Sequence, residues 1–199
     1  MKDRLFYRII KTIFYIPMCK ILYNIEVVGQ ENIPKKGRVI IAGNHTKWLD
    51  PVMLVLLNKR QFHFLAKDEL FHGITKHFVI GMGCIPVNRK THDKDALESA
   101  YKTLEIDNVI GIFPEGTINR TDDVIMPFKI GAVKMSEKTN TPIVPFGITG
   151  KYKMFKRRCV RIEFFKPMYV KGDLEKTNKK LEKIVSKCLI DNNKEDNNE

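Results

Sequence analysis

Within Gly43-Asn44-His45-Thr46-Lys47-Trp48-Leu49-Asp50, an Asn-His pair closes an apolar run and a carboxylate follows after four intervening residues, directly before Pro51. Histidine, with an unperturbed pKa of roughly 6.5, takes a proton at neutral pH and is the natural general base. A carboxylate within reach fixes its tautomer and stabilises the imidazolium. Asp50-Pro51 also has the form of a helix N-cap followed by proline at the first helical position. The two readings are compatible, since a capping carboxylate keeps a second oxygen with which to orient His45. The remaining histidines, His63, His72, His77 and His92, lack a carboxylate at comparable spacing before a helix start and read as structural.

Two further segments place polar groups after apolar runs. Gly83-Cys84-Ile85-Pro86-Val87-Asn88-Arg89 ends in a guanidinium, whose planar fork of donors matches phosphate oxygens. In Phe113-Pro114-Glu115-Gly116-Thr117 the Pro and Gly make a rigid turn. Its glycine permits close backbone approach to a ligand, and Glu115 is available to accept hydrogen bonds from substrate hydroxyls. Downstream, Pro127-Phe128-Lys129-Ile130-Gly131-Ala132 sets Lys129 at an expected helix N-terminus, where amides and ammonium together attract an anion. Each of these segments, taken alone, also reads as an ordinary turn or surface charge.

The elements that must position these groups follow from periodicity. Strands are predicted at 25–28, 39–42, 62–66, 84–87, 109–113, 143–148 and 160–165, with helices at 51–57, 67–79, 94–104, 129–137 and 174–190. Their alternation predicts an α/β fold: one domain over 24–190, a mostly parallel mixed sheet covered by helices. In such sheets ligands bind beyond the carboxyl ends of the strands. Asn44 and His45, Asn88 and Arg89, and Pro114 to Thr117 all stand at such exits.

At 199 residues the chain suits one domain. Its formal charge of +12 calls for an anionic partner, whether nucleic acid, lipid headgroups or a phosphorylated substrate. Cys19, Cys84, Cys159 and Cys188 are dispersed without metal-ligand spacing, so neither a disulfide framework nor a metal site is expected. No apolar run reaches the ~18 residues of a spanning helix. Residues 1–23 are rich in Phe, Tyr and Ile, interrupted by Arg8, Lys11 and Lys20. They predict an amphipathic helix lying in a membrane interface, or one packed on the protein's own core. Lys151, Lys153, Lys156, Arg157 and Arg158 interleave with Tyr152, Met154 and Phe155 as a second basic cluster, readable as an anionic-lipid or a nucleic-acid surface. Residues 191–199, Asn-rich and acidic, predict a disordered tail.

Taken in order, these pieces resemble the sequence blocks of the glycerolipid acyltransferase family, specifically the 1-acylglycerol-3-phosphate (lysophosphatidic acid) acyltransferases. Asn44 to Asp50 has the family's N-H-x-x-x-x-D form, and Gly83 to Arg89 is similar to its second block. Phe113 to Thr117 matches F-P-E-G-T, Phe128 to Ala132 matches F-K-x-G-A, and Ile143 to Phe146 resembles the apolar-Val-Pro block. The chain departs from the pattern at Ile118-Asn119, where the family often has Arg-Ser, and Arg120 is displaced by two positions. The resemblance implies transfer of an acyl group from acyl-CoA or acyl carrier protein to the sn-2 hydroxyl of 1-acylglycerol-3-phosphate, without a cofactor. It implies catalytic roles for His45 and Asp50, and a phosphate grip by Arg89 helped by Lys129. Glu115 and Gly116, in the block that Thr117 closes, would position the glycerol backbone. Transfer would be direct, without a covalent acyl-enzyme. The substrates are amphiphiles, so peripheral attachment to the cytoplasmic face of the membrane is expected, with no nucleic-acid partner.

Overall fold

Seven runs rich in Val, Ile and Phe pair into one sheet: β1 (Ile25–Val28), β2 (Val39–Gly43), β3 (Phe62–Lys67), β4 (Ile85–Val87), β5 (Val109–Ile112), β6 (Ile143–Gly150) and β7 (Val160–Phe164). Their spatial order is β1-β7-β6-β2-β5-β3-β4. From β6 across to β4 every neighbour is parallel, β7 lies antiparallel to β6, and β1 runs parallel to β7. The sheet is thus mixed and mostly parallel, as predicted. The computed structural model describes residues 13, 25–58, 60–88, 94–152 and 160–196. The helix expected over 1–23 (residue 13 apart), Arg89, and Lys153, Met154, Phe155, Lys156, Arg157 and Arg158 of the basic cluster lie outside the described residues.

Central β2 reads Val-Ile-Ile-Ala-Gly without a polar residue because both of its faces are covered. Val39 and Ile41 enter one core with Phe62, Phe64, Val109 and Phe146, together with Val52 to Val55 of helix α1 (Asp50–Leu57). Ile40 and Ala42 point the other way, into a core with Ile110 and Ile143. That second core is closed by Ala100 and Leu104 of α3 (Lys94–Glu105), Ala132, Val133 and Met135 of α4 (Gly131–Thr139), and Leu181, Val185 and Leu189 of α5 (Leu174–Asp196). The short helix α2 (Lys76–Gly81) sends Met82, just past its end, into the first core.

Three expectations change. The helix predicted over 67–79 begins only at Lys76: β3 extends through Lys67, and two 3-10 turns (Asp68–Phe71 and Gly73–Thr75) intervene. Extended His72 and Gly73, at a φ of 64°, break the helical path between them. The helix predicted from Lys129 starts at Gly131, because the Lys129 N–H donates to the Pro114 carbonyl (2.9 Å) and ties that residue to the neighbouring turn. The expected disordered tail is helical as far as Asp196. Buried Leu189 anchors α5 to the second core, and buried Asn192 donates its amide to the Cys188 carbonyl (2.9 Å). One asparagine of a polar stretch therefore faces inward, which composition does not reveal.

Candidate active site

His45 stands two residues beyond β2, and its position is set before its ring is considered. Buried Asn44 extends the pairing of β2 with β6 by a side chain: its amide donates to the Ile148 carbonyl (2.9 Å) and accepts from the Ile148 N–H (2.8 Å). Gly43 lets the strands close up, since a Cβ there would fall 2.1 Å from the Phe146 carbonyl oxygen. The His45 N–H then donates to Glu115 Oε1 (2.7 Å), and the His45 carbonyl accepts from the Asn119 N–H (2.8 Å). Its ring stacks on Phe113, with centroids 4.0 Å apart and planes 14° from parallel.

Asp50 is fully buried, and its carboxylate does not cap the helix it begins. The N-cap position is Leu49, without a side-chain bond, and Asp50 turns back into the preceding loop instead. Oδ2 accepts from His45 Nδ1 (2.9 Å), Thr46 N (2.6 Å) and Lys47 N (2.8 Å). Oδ1 accepts from the Tyr152 hydroxyl (2.8 Å) and the Thr46 hydroxyl (3.2 Å). Loop amides thus hold the carboxylate where helix amides were expected to, and Pro51, with no N–H of its own, makes no demand on it. With Nδ1 committed to Asp50, Nε2 is the ring nitrogen left to work as a base.

Glu115 also has a different task from the one its sequence context implies. It is only 2% exposed, and its second oxygen accepts from the Met126 N–H (2.9 Å). With one oxygen on His45 and the other on Met126, it braces the His45 backbone from within and is not presented to a substrate hydroxyl. Burial holds its carboxyl above the ordinary 4.5, against the pull of the two amides. At Gly116, φ is 77° and an added Cβ would fall 2.6 Å from Lys129 Nζ, so the glycine makes room for the Lys129 side chain to cross the turn.

These groups open onto one cavity of about 680 Å³. Most of its wall is carbon, from Trp48, Val52, Val55, Phe64, Phe78 and Met82 among others. Among the described residues its charged lining is Lys67, Arg120 and Lys129, with His45 also in the wall and no carboxylate reaching it. Such a chamber suits an apolar chain joined to an anionic head. Cys84, also in the wall, has its thiol pushed up to about 12 by burial and is a poor nucleophile at neutral pH. The Thr46 hydroxyl is occupied with Asp50.

Of the residues singled out in the sequence, His45, Gly116, Thr117 and Lys129 line the cavity, with Asp50 and Glu115 directly behind His45. Arg89 lies outside the described residues; Val87, the last residue of β4, is in the cavity wall. Displaced Arg120 also reaches the lining. Tyr152 was not anticipated at the site. It follows β6, which ends on the same edge of the sheet as β2 and β5, so inspecting that fourth strand exit finds it.

The acyltransferase family profile matches residues 24–149. The chain is 39% identical over 139 residues to a 1-acyl-sn-glycerol-3-phosphate acyltransferase of Borreliella burgdorferi, a match covering 68% of this chain and 55% of that protein. It is 29% identical over 150 residues to the enzyme of the same name from Bacillus subtilis, covering 73% and 74% respectively. The chain thus spans little more than half the length of the Borreliella relative. In fold it is similar to the crystal structure of the 1-acyl-sn-glycerophosphate (LPA) acyltransferase from Thermotoga maritima, with a TM-score of 0.75 at 22% identity over 95% of this chain and 80% of that one.

Proposed function

Because the chain belongs to the acyltransferase family, we propose that it moves a fatty acyl group from acyl-CoA or acyl carrier protein to the sn-2 hydroxyl of 1-acylglycerol-3-phosphate, giving phosphatidic acid. The observation that carries this reading is a histidine oriented by a buried carboxylate, His45 Nδ1 to Asp50 Oδ2 at 2.9 Å, in the wall of an apolar cavity whose charged lining is cationic. The names of its relatives agree with it.

In this reaction His45 Nε2 takes the proton of the acceptor hydroxyl as that oxygen attacks the thioester carbonyl carbon. Asp50 stabilises the imidazolium. The tetrahedral intermediate then collapses, the carbon–sulfur bond breaks, and the proton passes from His45 to the departing thiolate. The step balances without a cofactor, and transfer is direct because Thr46 and Cys84 are both unsuited to form an acyl-enzyme. Arg89 and Lys129 hold the acceptor phosphate, and Gly116 and Thr117 border the space for its glycerol. Glu115 acts through His45 and is a positioning residue. Holding the hydroxyl beside Nε2 lowers the barrier by converting a chance encounter into a fixed geometry.

Attachment is peripheral, on the cytoplasmic face, through residues 1–23 and the basic cluster. Among the described residues no helix is long and apolar enough to cross a membrane. The test is thiol release from acyl-CoA or acyl carrier protein on adding lysophosphatidic acid, with phosphatidic acid identified by mass. His45→Ala and Asp50→Ala each abolish it in a folded protein; near-wild-type transfer by either variant rejects the mechanism. Ile118, in the cavity lining where the family often has Arg, favours one further reading, a lipid acceptor with a different headgroup. The same assay run across acceptors separates the two.

A further inference from the structure

Four large apolar side chains stand in solvent around the mouth of the cavity: Trp48 at 68% exposed, Leu70 at 41%, Ile74 at 96% and Phe78 at 37%. Isolated exposed hydrophobes are ordinary, but a group of them at one opening is not. Trp48, Leu70 and Phe78 also line the cavity, and so does Thr75, the chain neighbour of Ile74. Apolar side chains therefore stand both in the chamber wall and at its outer rim. Ile74 is the most exposed of the four.

We propose that this rim is a membrane-docking surface, with Trp48 and Ile74 inserted into the interface of an anionic bilayer so that the cavity opens directly onto its lipid. The inference rests on the reading of the acceptor as a membrane lipid. An alkyl chain passing from bilayer to cavity through water would expose its methylenes to solvent, each at a cost, and a mouth seated in the bilayer avoids that exposure. Charge agrees with this occupant. Exposed Lys47, Lys67 and Lys76 flank the apolar tips, and Arg120 and Lys129 lie in the lining. Among the described residues the carboxylates of the rim are Asp68, whose Oδ2 lies 3.4 Å from His72 Nε2, and Glu69. Tryptophan and lysine both favour the headgroup level, the one with its amphipathic ring and the other by extending its ammonium to water.

Trp48 is the only tryptophan of the chain, so tryptophan emission, excited beyond the absorption of tyrosine, reports on this rim alone. The full chain is titrated with vesicles of phosphatidylcholine and phosphatidylglycerol, with and without lipids brominated on their acyl chains. The expected result is a blue shift of Trp48 emission and quenching by the brominated lipid. Ile74→Asp should weaken partitioning about tenfold, while turnover of a water-soluble short-chain lysophosphatidate is unchanged. Vesicle binding that leaves Trp48 emission unmoved and unquenched would overturn the proposal, placing the membrane contact elsewhere. So would a blue shift that grows with protein concentration in lipid-free buffer, which makes a second copy the occupant. If Trp48 inserts but no thioester is ever consumed, the acyl-transfer reading falls and the docking surface stands.

Discussion

Asp50 accepts from more donors than the orientation of one imidazole requires, and each extra donor narrows where its oxygens can lie. Two loop amides fix Oδ2, so the Tyr152 hydroxyl on Oδ1 supplies the hold from across the fold. Tyr152→Phe removes that donor and little else. The loss of one hydrogen bond to a charged acceptor predicts a kcat about tenfold lower, with KM for both substrates unchanged. Unaltered kcat, or a loss confined to KM, would remove Tyr152 from the positioning of the dyad. Glu115 carries a pH signature. Its folded carboxyl binds a proton more tightly than an ordinary one at 4.5, because burial opposes its charge. The stability this contributes is complete below about pH 4.5 and is lost as pH climbs through the raised folded value. The melting temperature of wild type minus that of Glu115→Gln should therefore fall as pH rises through that window and then level off; a difference that is flat or rises contradicts the assignment. The pairing of His45 and Asp50 was legible in the sequence because the contact is local, made within one loop between residues five apart. The task of Glu115 was not, since sequence shows a carboxylate but not the amides of His45 and Met126 that fill it. Tyr152 sits between Lys151 and Lys153, and that basic setting drew its reading toward a lipid surface.

Between residue and fold, the elements pass their positions on through close contacts. Phe64 of β3 packs on Gly111 of β5, where an added Cβ would lie 2.2 Å from the Phe64 ring. That ring stacks on Phe113 at 5.3 Å between centroids, and Phe113 stacks on His45. Gly111→Ala therefore displaces a train of three rings, and transfer should fall about tenfold or more. Adding Phe64→Leu, which returns space at Gly111, should restore part of the loss. A double variant no better than the single one would show that His45 is not held through this stack. The Asn44 bridge gives a stability counterpart. Asn44→Ala leaves the N–H and carbonyl of Ile148 buried without partners, at about 1–3 kcal/mol each, so denaturant unfolding should register a loss of roughly 2–6 kcal/mol. A loss below 1 kcal/mol, by the same scale, would mean that water or a shifted strand replaces the amide. Strand and helix order was readable throughout because β2, β5 and β6 carry uninterrupted apolar runs and α3 a helical period. The stretch after β3 was misread for a local reason: 67–79 has helix formers in plenty, but Gly73 and extended His72 divide it into turns.

For the molecule as a whole, the +12 charge was legible at once but its use was not, since composition alone admits nucleic acid, lipid or phosphate equally. The cavity narrows the choice by placing Lys67, Arg120 and Lys129 in the same lining as the histidine, with no carboxylate there among the described residues. Those cations are partly in solvent, so each contributes modestly and is screened by salt, with a Debye length of about 10 Å at 0.1 M and about 3 Å at 1 M. KM for a water-soluble short-chain lysophosphatidate should then rise about three- to tenfold between low and high salt, with kcat little changed. A short-chain monoacylglycerol, which keeps the glycerol and lacks the phosphate, should show no such rise. Soluble acceptors matter here because salt also weakens attachment to anionic vesicles, and a lipid-bound assay would mix the two effects. If the neutral acceptor follows the same curve as the phosphorylated one, the field of the cavity acts on something other than the acceptor phosphate, such as the phosphates of the acyl donor. Exchanging acyl-CoA for acyl carrier protein in the same salt series then decides between donor and acceptor, because only the coenzyme brings a compact cluster of phosphates to the lining.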